Sequence, residues 1–89
     1  MEIEFDPDKD RRNMAKHGVS LGLAADLEWS LAWVREDTRE AYEERRWIGF
    51  APIGNRIYCV VFTEENDVYR IISLRQAENH EKRTYIHHL

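Results

Sequence analysis

Polar and apolar residues alternate over residues 2–6, E-I-E-F-D, and this period of two predicts a short strand with Ile3 and Phe5 facing a core. Asp6-Pro7-Asp8 then predicts a helix start: Asp6 as N-cap, proline at the first helical position, and an acid at the positive dipole end. That helix should run to about Lys16 or His17, with Gly18 as its stop. Only Met14 and Ala15 stand at clear inward positions, so it should lie on the surface. Ser20 predicts the cap of a second helix over 21–29, carrying Leu21, Leu23, Ala24, Ala25 and Leu27. Leu31–Arg35 reads as a strand. The nearly all-polar segment Glu36–Arg45 reads as a mobile loop.

Three closely spaced strands follow, Arg46–Ile53, Arg56–Thr63 and Val68–Leu74, joined by turns at Gly54-Asn55 and Glu65-Asn66-Asp67. Short connections make them an antiparallel meander. Ala77–His88 reads as the last helix. The order β-α-α-β-β-β-β-α predicts a two-layer α+β fold with an antiparallel sheet. In the last strand the period of two groups Tyr69, Ile71, Ser73 and Arg75 on one face, and Arg70, Ile72 and Leu74 on the other. Ile72 and Leu74 should then fill the helix-covered core.

At 89 residues the chain makes one domain with a small core, and no apolar run is long enough to span a bilayer. The acidic start, M-E-I-E, lacks a signal peptide's basic and apolar regions, which predicts a cytoplasmic protein with no membrane role. Cys59 is the single cysteine, which excludes an internal disulfide, and its apolar neighbours predict a buried thiol. The net charge of −4 argues against tight nonspecific binding to nucleic acid.

Candidate chemistry begins with arginine. Arg45, Arg46, Arg56, Arg70 and Arg75 fall at or near the ends of the meander strands. They can hold phosphate through bidentate hydrogen bonds, or pair with Glu43, Glu44, Glu64, Glu65 and Glu78. His17 is either a helix-end cation or a general acid or base. His80 and His87 are seven apart on the last helix, without a matching carboxylate or thiol motif for metal. Glu81 and Tyr85 share a helix face, and Tyr85 is either a core residue or a hydroxyl near Ser73 and Arg75. Trp33 and Trp47 flank the polar loop and could form one partner-binding patch. No phosphate-binding glycine loop or nucleophile elbow occurs.

Three stretches add a resemblance. They are I-E-F-D-P-D-K-D-R-R-N-M-A-K-H-G-V-S at residues 3–20, E-R-R-W-I-G-F at 44–50 with G-N-R-I-Y-C-V-V-F-T at 54–63, and R-I-I-S-L-R-Q-A at 70–77, with Glu81 and Tyr85 beyond. In this order they resemble the BrnT-type ribonuclease toxins of bacterial type II toxin–antitoxin modules. The resemblance implies a RelE-like fold and metal-independent RNA cleavage without a cofactor. It also implies neutralisation by a cognate antitoxin, commonly in a heterotetramer, with operator DNA reached only through that antitoxin. Carried over by motif, His17, Glu44, Arg46, Arg56, Ser73 and Arg75 become candidate catalytic residues. Lys16, Arg45, Arg70 and Tyr85 become candidate substrate contacts. A non-catalytic toxin-fold partner and co-repressor is the alternative, which the acidic charge favours.

Overall fold

A computed structural model describes residues 1–89 and shows an α+β chain with a five-stranded sheet. The strands are β1 (Glu2–Glu4), β2 (Trp33–Glu36), β3 (Trp47–Ile53), β4 (Arg56–Glu65) and β5 (Val68–Gln76), in spatial order β1-β5-β4-β3-β2. The helices are α1 (Pro7–His17) and α2 (Asn79–His87). The meander is antiparallel as expected, but β1 pairs parallel to β5, with Ile3 opposite Tyr69, so the sheet is mixed. The chain then runs through α1 and the segment after it from β1, at one edge of the sheet beside β5, to β2 at the other edge.

Local chemistry sets the ends of α1. Asp6 is extended (φ −80°, ψ 126°), and its carboxylate accepts the Asp8 N–H at 3.1 Å. Gly18 takes φ +71°, where a Cβ would be strained, and its N–H closes on the Met14 carbonyl at 2.8 Å. The expected inward pair is corrected. Met14 and Ala15 are exposed, and the residue that α1 buries is Asn13. Its amide bonds the edge of β5, which an apolar side chain could not do.

The second expected helix is instead two 3-10 turns, Leu21–Asp26 and Trp29–Leu31. The Glu28 N–H that would extend an α-helix onto Ala24 donates to the Pro52 carbonyl at 2.9 Å. The Ala24 carbonyl accepts the Leu27 N–H and the Trp29 indole N–H at 3.0 Å. Tertiary partners thus replace the i→i+4 ladder. Leu31 belongs to the second turn, and β2 starts at Trp33.

Both faces of the sheet are covered, rather than one. Leu21, Ala24 and Leu27 pack over Ala51, Tyr58, Val60, Phe62, Ile71 and Leu74 on one face. Tyr85 and Ala77 pack over Ile48, Phe50, Cys59 and Val61 on the other, the α2 face. Cys59 is 2% exposed, and burial pushes its thiol up to about 11, as expected of a thiol that only packs. Trp33 and Trp47 do not form one patch. Trp33 pairs with Phe50 on the α2 face, whereas Trp47 pairs with Phe62 and lines an apolar groove with Trp29, Val34 and Tyr69 on the opposite face. No helix is long and apolar enough to cross a membrane.

Candidate functional site

A β-bulge decides which side chains β5 presents. Val61 pairs with Ser73 but its neighbour Phe62 pairs with Ile71, so Ile72 is an extra residue. Directly opposed residues share a face. Ile71 and Leu74 therefore enter the first core, while Arg70, Ile72, Ser73 and Arg75 all lie on the α2 face. This corrects the strict alternation in two places. Ile72 and Leu74 do not share a core, and Tyr69 and Ile71 do not share a face with Ser73 and Arg75.

At one end of this row, Arg75 makes a bidentate pair with Glu81, at 2.7 and 2.9 Å. Glu81 also accepts the Glu78 N–H at 2.8 Å, closing the first turn of α2. The Arg75 hydrogen bonds outweigh burial and hold the Glu81 carboxyl down at about 2. The pair fastens β5 to α2. Near Arg75 stands His17, at the end of α1. Burial, then the charges of Lys16 and Arg75, lower its pKa from the ordinary value of 6.5 and so disfavour its cation.

At the other end lies a cleft of about 310 Å³ lined by Lys9, Tyr42, Glu43, Glu44, Arg46, Thr63, Arg70 and Ile72. Three elements bring its cations together: α1 supplies Lys9, the residue before β3 supplies Arg46, and β5 supplies Arg70. Arg70 pairs with Glu4 at 3.1 Å, but both side chains are about half exposed, so the pair is weak and open to exchange for a phosphate. Arg46 lies over the Tyr42 ring, 4.2 Å from its centroid. Lys9 and His17, at the two ends of α1, are separated by about 12 Å along the axis.

The polar loop that presents Tyr42 and Arg46, read from the sequence as mobile, is tied down by a buried carboxylate. Its Asp37 side chain is 1% exposed. Asp37 accepts Arg39 Nε and Nη2, both at 2.8 Å, and the Tyr42 hydroxyl at 3.2 Å. The Asp37 N–H donates to the Arg46 carbonyl at 2.7 Å, which extends the β2–β3 ladder into the loop.

The expected site residues therefore separate. Glu44, Arg46 and Arg70 share the cleft, while Ser73, Arg75 and His17 lie towards the other end of the same face or of α1. Lys16 is exposed in the last turn of α1. Arg56 is exposed at the β3–β4 turn, opposite Ile53. Arg45 pairs with Glu36 at 3.4 Å and lies over Trp47, away from the cleft. Tyr85 is 2% exposed and donates its hydroxyl to the Leu31 carbonyl at 2.7 Å, which ties α2 to the segment before β2. Arg45, Arg70 and Arg75 are ion-paired, as the alternative reading had it, but with Glu36, Glu4 and Glu81 and with none of the five glutamates expected as partners. Lys9, Tyr42 and Thr63 were not anticipated. Lys9 stands in the run I-E-F-D-P-D-K that carries the resemblance, and that was its available signal. No group of three His, Cys, Asp or Glu side chains is arranged to hold a metal.

Comparison with known proteins agrees with the motifs. Residues 5–81 match the family model described as the ribonuclease toxin, BrnT, of type II toxin–antitoxin systems. No curated protein matches the chain. Because the match spans most of the sequence, the chain belongs to the BrnT family of ribonuclease toxins of type II toxin–antitoxin systems.

Proposed function

We propose that this chain is a metal-independent RNA endonuclease, held in check by a cognate protein antitoxin. The observation that carries the reading is the convergence of Lys9, Arg46 and Arg70 with Glu44 around one cleft. Three cations suit a phosphate whose charge grows as a pentavalent phosphorane forms. Glu44 takes the proton of the 2′-hydroxyl, whose oxygen attacks the adjacent phosphorus. The bond to the 5′-oxygen breaks, leaving a 2′,3′-cyclic phosphate and a 5′-hydroxyl. Lys9 is the cleft cation able to give that oxygen a proton, since a guanidinium keeps its own.

The RNA strand lies along β5, with its next nucleotide on Ser73 and His17. Arg75, clamped by Glu81, orients this end more than it binds phosphate. Arg56 and Arg45 are peripheral contacts. A RelE-like fold belongs to the same reading and is supported by the meander flanked by N-terminal and C-terminal helices. The antitoxin, in a heterotetramer, links the toxin to operator DNA.

A second reading, a non-catalytic co-repressor, is favoured by the carboxylates that occupy Arg70 and Arg75. Expression in bacteria separates the two. Wild type should arrest growth, and Arg46→Ala and Arg70→Ala should relieve the arrest while still binding antitoxin. Harmless wild type that binds antitoxin would favour the co-repressor.

A further inference from the structure

The polar loop contains a relay that ends in the cleft. Asp37 is a buried carboxylate whose two oxygens are both used, by Arg39 and by the Tyr42 hydroxyl. The Tyr42 ring, fixed at its hydroxyl, carries the Arg46 guanidinium on its face at 4.2 Å from the centroid. Tyr42 and Arg46 both line the cleft with Lys9 and Arg70. Arg46 has no carboxylate partner within salt-bridge distance, unlike Arg70 and Arg75. Its guanidinium is therefore held by an aromatic face, which restricts its direction without neutralising its charge.

We propose that Tyr42 and Asp37 are positioning residues for Arg46, with Tyr42 aiming the guanidinium at the phosphate and Asp37 fixing Tyr42. The proposal rests on the ribonuclease reading for its substrate, and on the loop geometry for its mechanism. A carboxylate in place of the ring would hold Arg46 as firmly but would compete with the phosphate for its donors. A flexible loop would leave the guanidinium free, and substrate binding would then have to bear its ordering.

The test combines a double-mutant cycle with a measurement that needs no RNA. Cleavage of a single-stranded RNA, and anisotropy binding of its 2′-O-methylated form, are read for wild type, Tyr42→Leu, Arg46→Ala and the double variant. Tyr42→Leu should lower kcat/KM about tenfold. It should have almost no effect once Arg46 is alanine, because the residues act as one unit. Tyr42→Phe, which keeps the ring, should lose less than Tyr42→Leu. In parallel, the NMR signal of the Arg46 side-chain Nε–H, assigned by its absence in Arg46→Ala, should be dispersed in wild type. It should collapse towards the free-arginine position in Tyr42→Leu and Asp37→Asn. Additive losses in the cycle, or an Arg46 signal unmoved by Tyr42→Leu, would overturn the positioning role. A wild type that neither cleaves nor binds RNA, yet shows the Arg46 signal moving, would sink the ribonuclease reading and leave the relay standing.

Discussion

Asn13 bonds both backbone groups of Leu74: its side-chain nitrogen donates to the Leu74 carbonyl at 2.7 Å, and its oxygen accepts the Leu74 N–H at 3.2 Å. β1 covers the edge of β5 only from Val68 to Arg70. The side-chain amide continues the ladder where the strand has ended, and it also donates to the Val19 carbonyl at 2.8 Å. One residue thereby fixes α1, the turn after it, and the half of β5 that carries Ser73 and Arg75.

Replacing Asn13 by leucine leaves these buried groups without partners, and the expected cost is about 2–4 kcal/mol. Urea unfolding measures it. The substitution Asn13→Asp should do little better, because a carboxylate cannot donate to the two carbonyls. A loss below about 0.5 kcal/mol for Asn13→Leu would mean that water replaces the amide freely.

Acid should unfold the protein through two carboxylates. Arg39 holds Asp37 at about 2, against an ordinary 3.8, and Arg75 holds Glu81 at about 2, against 4.5. Both folded values are depressed, so the unfolded chain takes up protons first. The stability these groups contribute is complete above about pH 5 and drains away as the pH falls towards 2. Each contributes about 2 kcal/mol after allowance for its partly exposed arginine. Asp37→Asn and Glu81→Gln should each flatten the stability–pH curve between pH 5 and 2 and lower its plateau. An unchanged curve for either variant would remove that ion pair from the account.

His17 gives the opposite kind of group a depressed value. Its cation is disfavoured by burial and by Lys16 and Arg75, so the folded chain resists protonation and loses stability as the pH drops below 6.5. An NMR titration of His17 should show a midpoint below 6.5, and Arg75→Met should raise it. A midpoint above 6.5 would mean that the imidazole is a cation at the end of α1, held by the helix dipole.

The parts of this fold that were legible in the sequence are those set by neighbours along the chain. Asp6-Pro7 and Gly18 bound α1 because capping needs only a few residues of context. The Asn66-Asp67 turn is legible for the same reason, and both residues adopt positive φ, at 53° and 65°. What was hidden depends on distant partners. The 3-10 turns exist because Pro52 and Trp29 take the hydrogen bonds of Ala24 and Glu28. The bulge at Ile72 reverses the face of Ser73 and Arg75 relative to Tyr69 and Ile71, and a run of R-I-I-S-L-R carries no mark of the extra residue. Asp37 stands in a run of mostly charged residues, and nothing in that composition singles out the one carboxylate that is buried. Glu44 and Arg46 were legible through the motifs and Arg70 through the row of strand-end arginines, and the structure added Lys9 and Tyr42 as their neighbours.

The central claim, that the cleft of Lys9, Glu44, Arg46 and Arg70 cuts RNA through its own 2′-hydroxyl, is tested most directly with a purified single-stranded RNA in EDTA. Wild type should yield 2′,3′-cyclic phosphate and 5′-hydroxyl ends. A single 2′-deoxy substitution at the cut site should abolish that cut, and Arg46→Ala or Arg70→Ala should slow it by a factor on the order of 100. Cleavage that needs a divalent metal, survives the 2′-deoxy substitution, or is unchanged in both arginine variants would contradict the account.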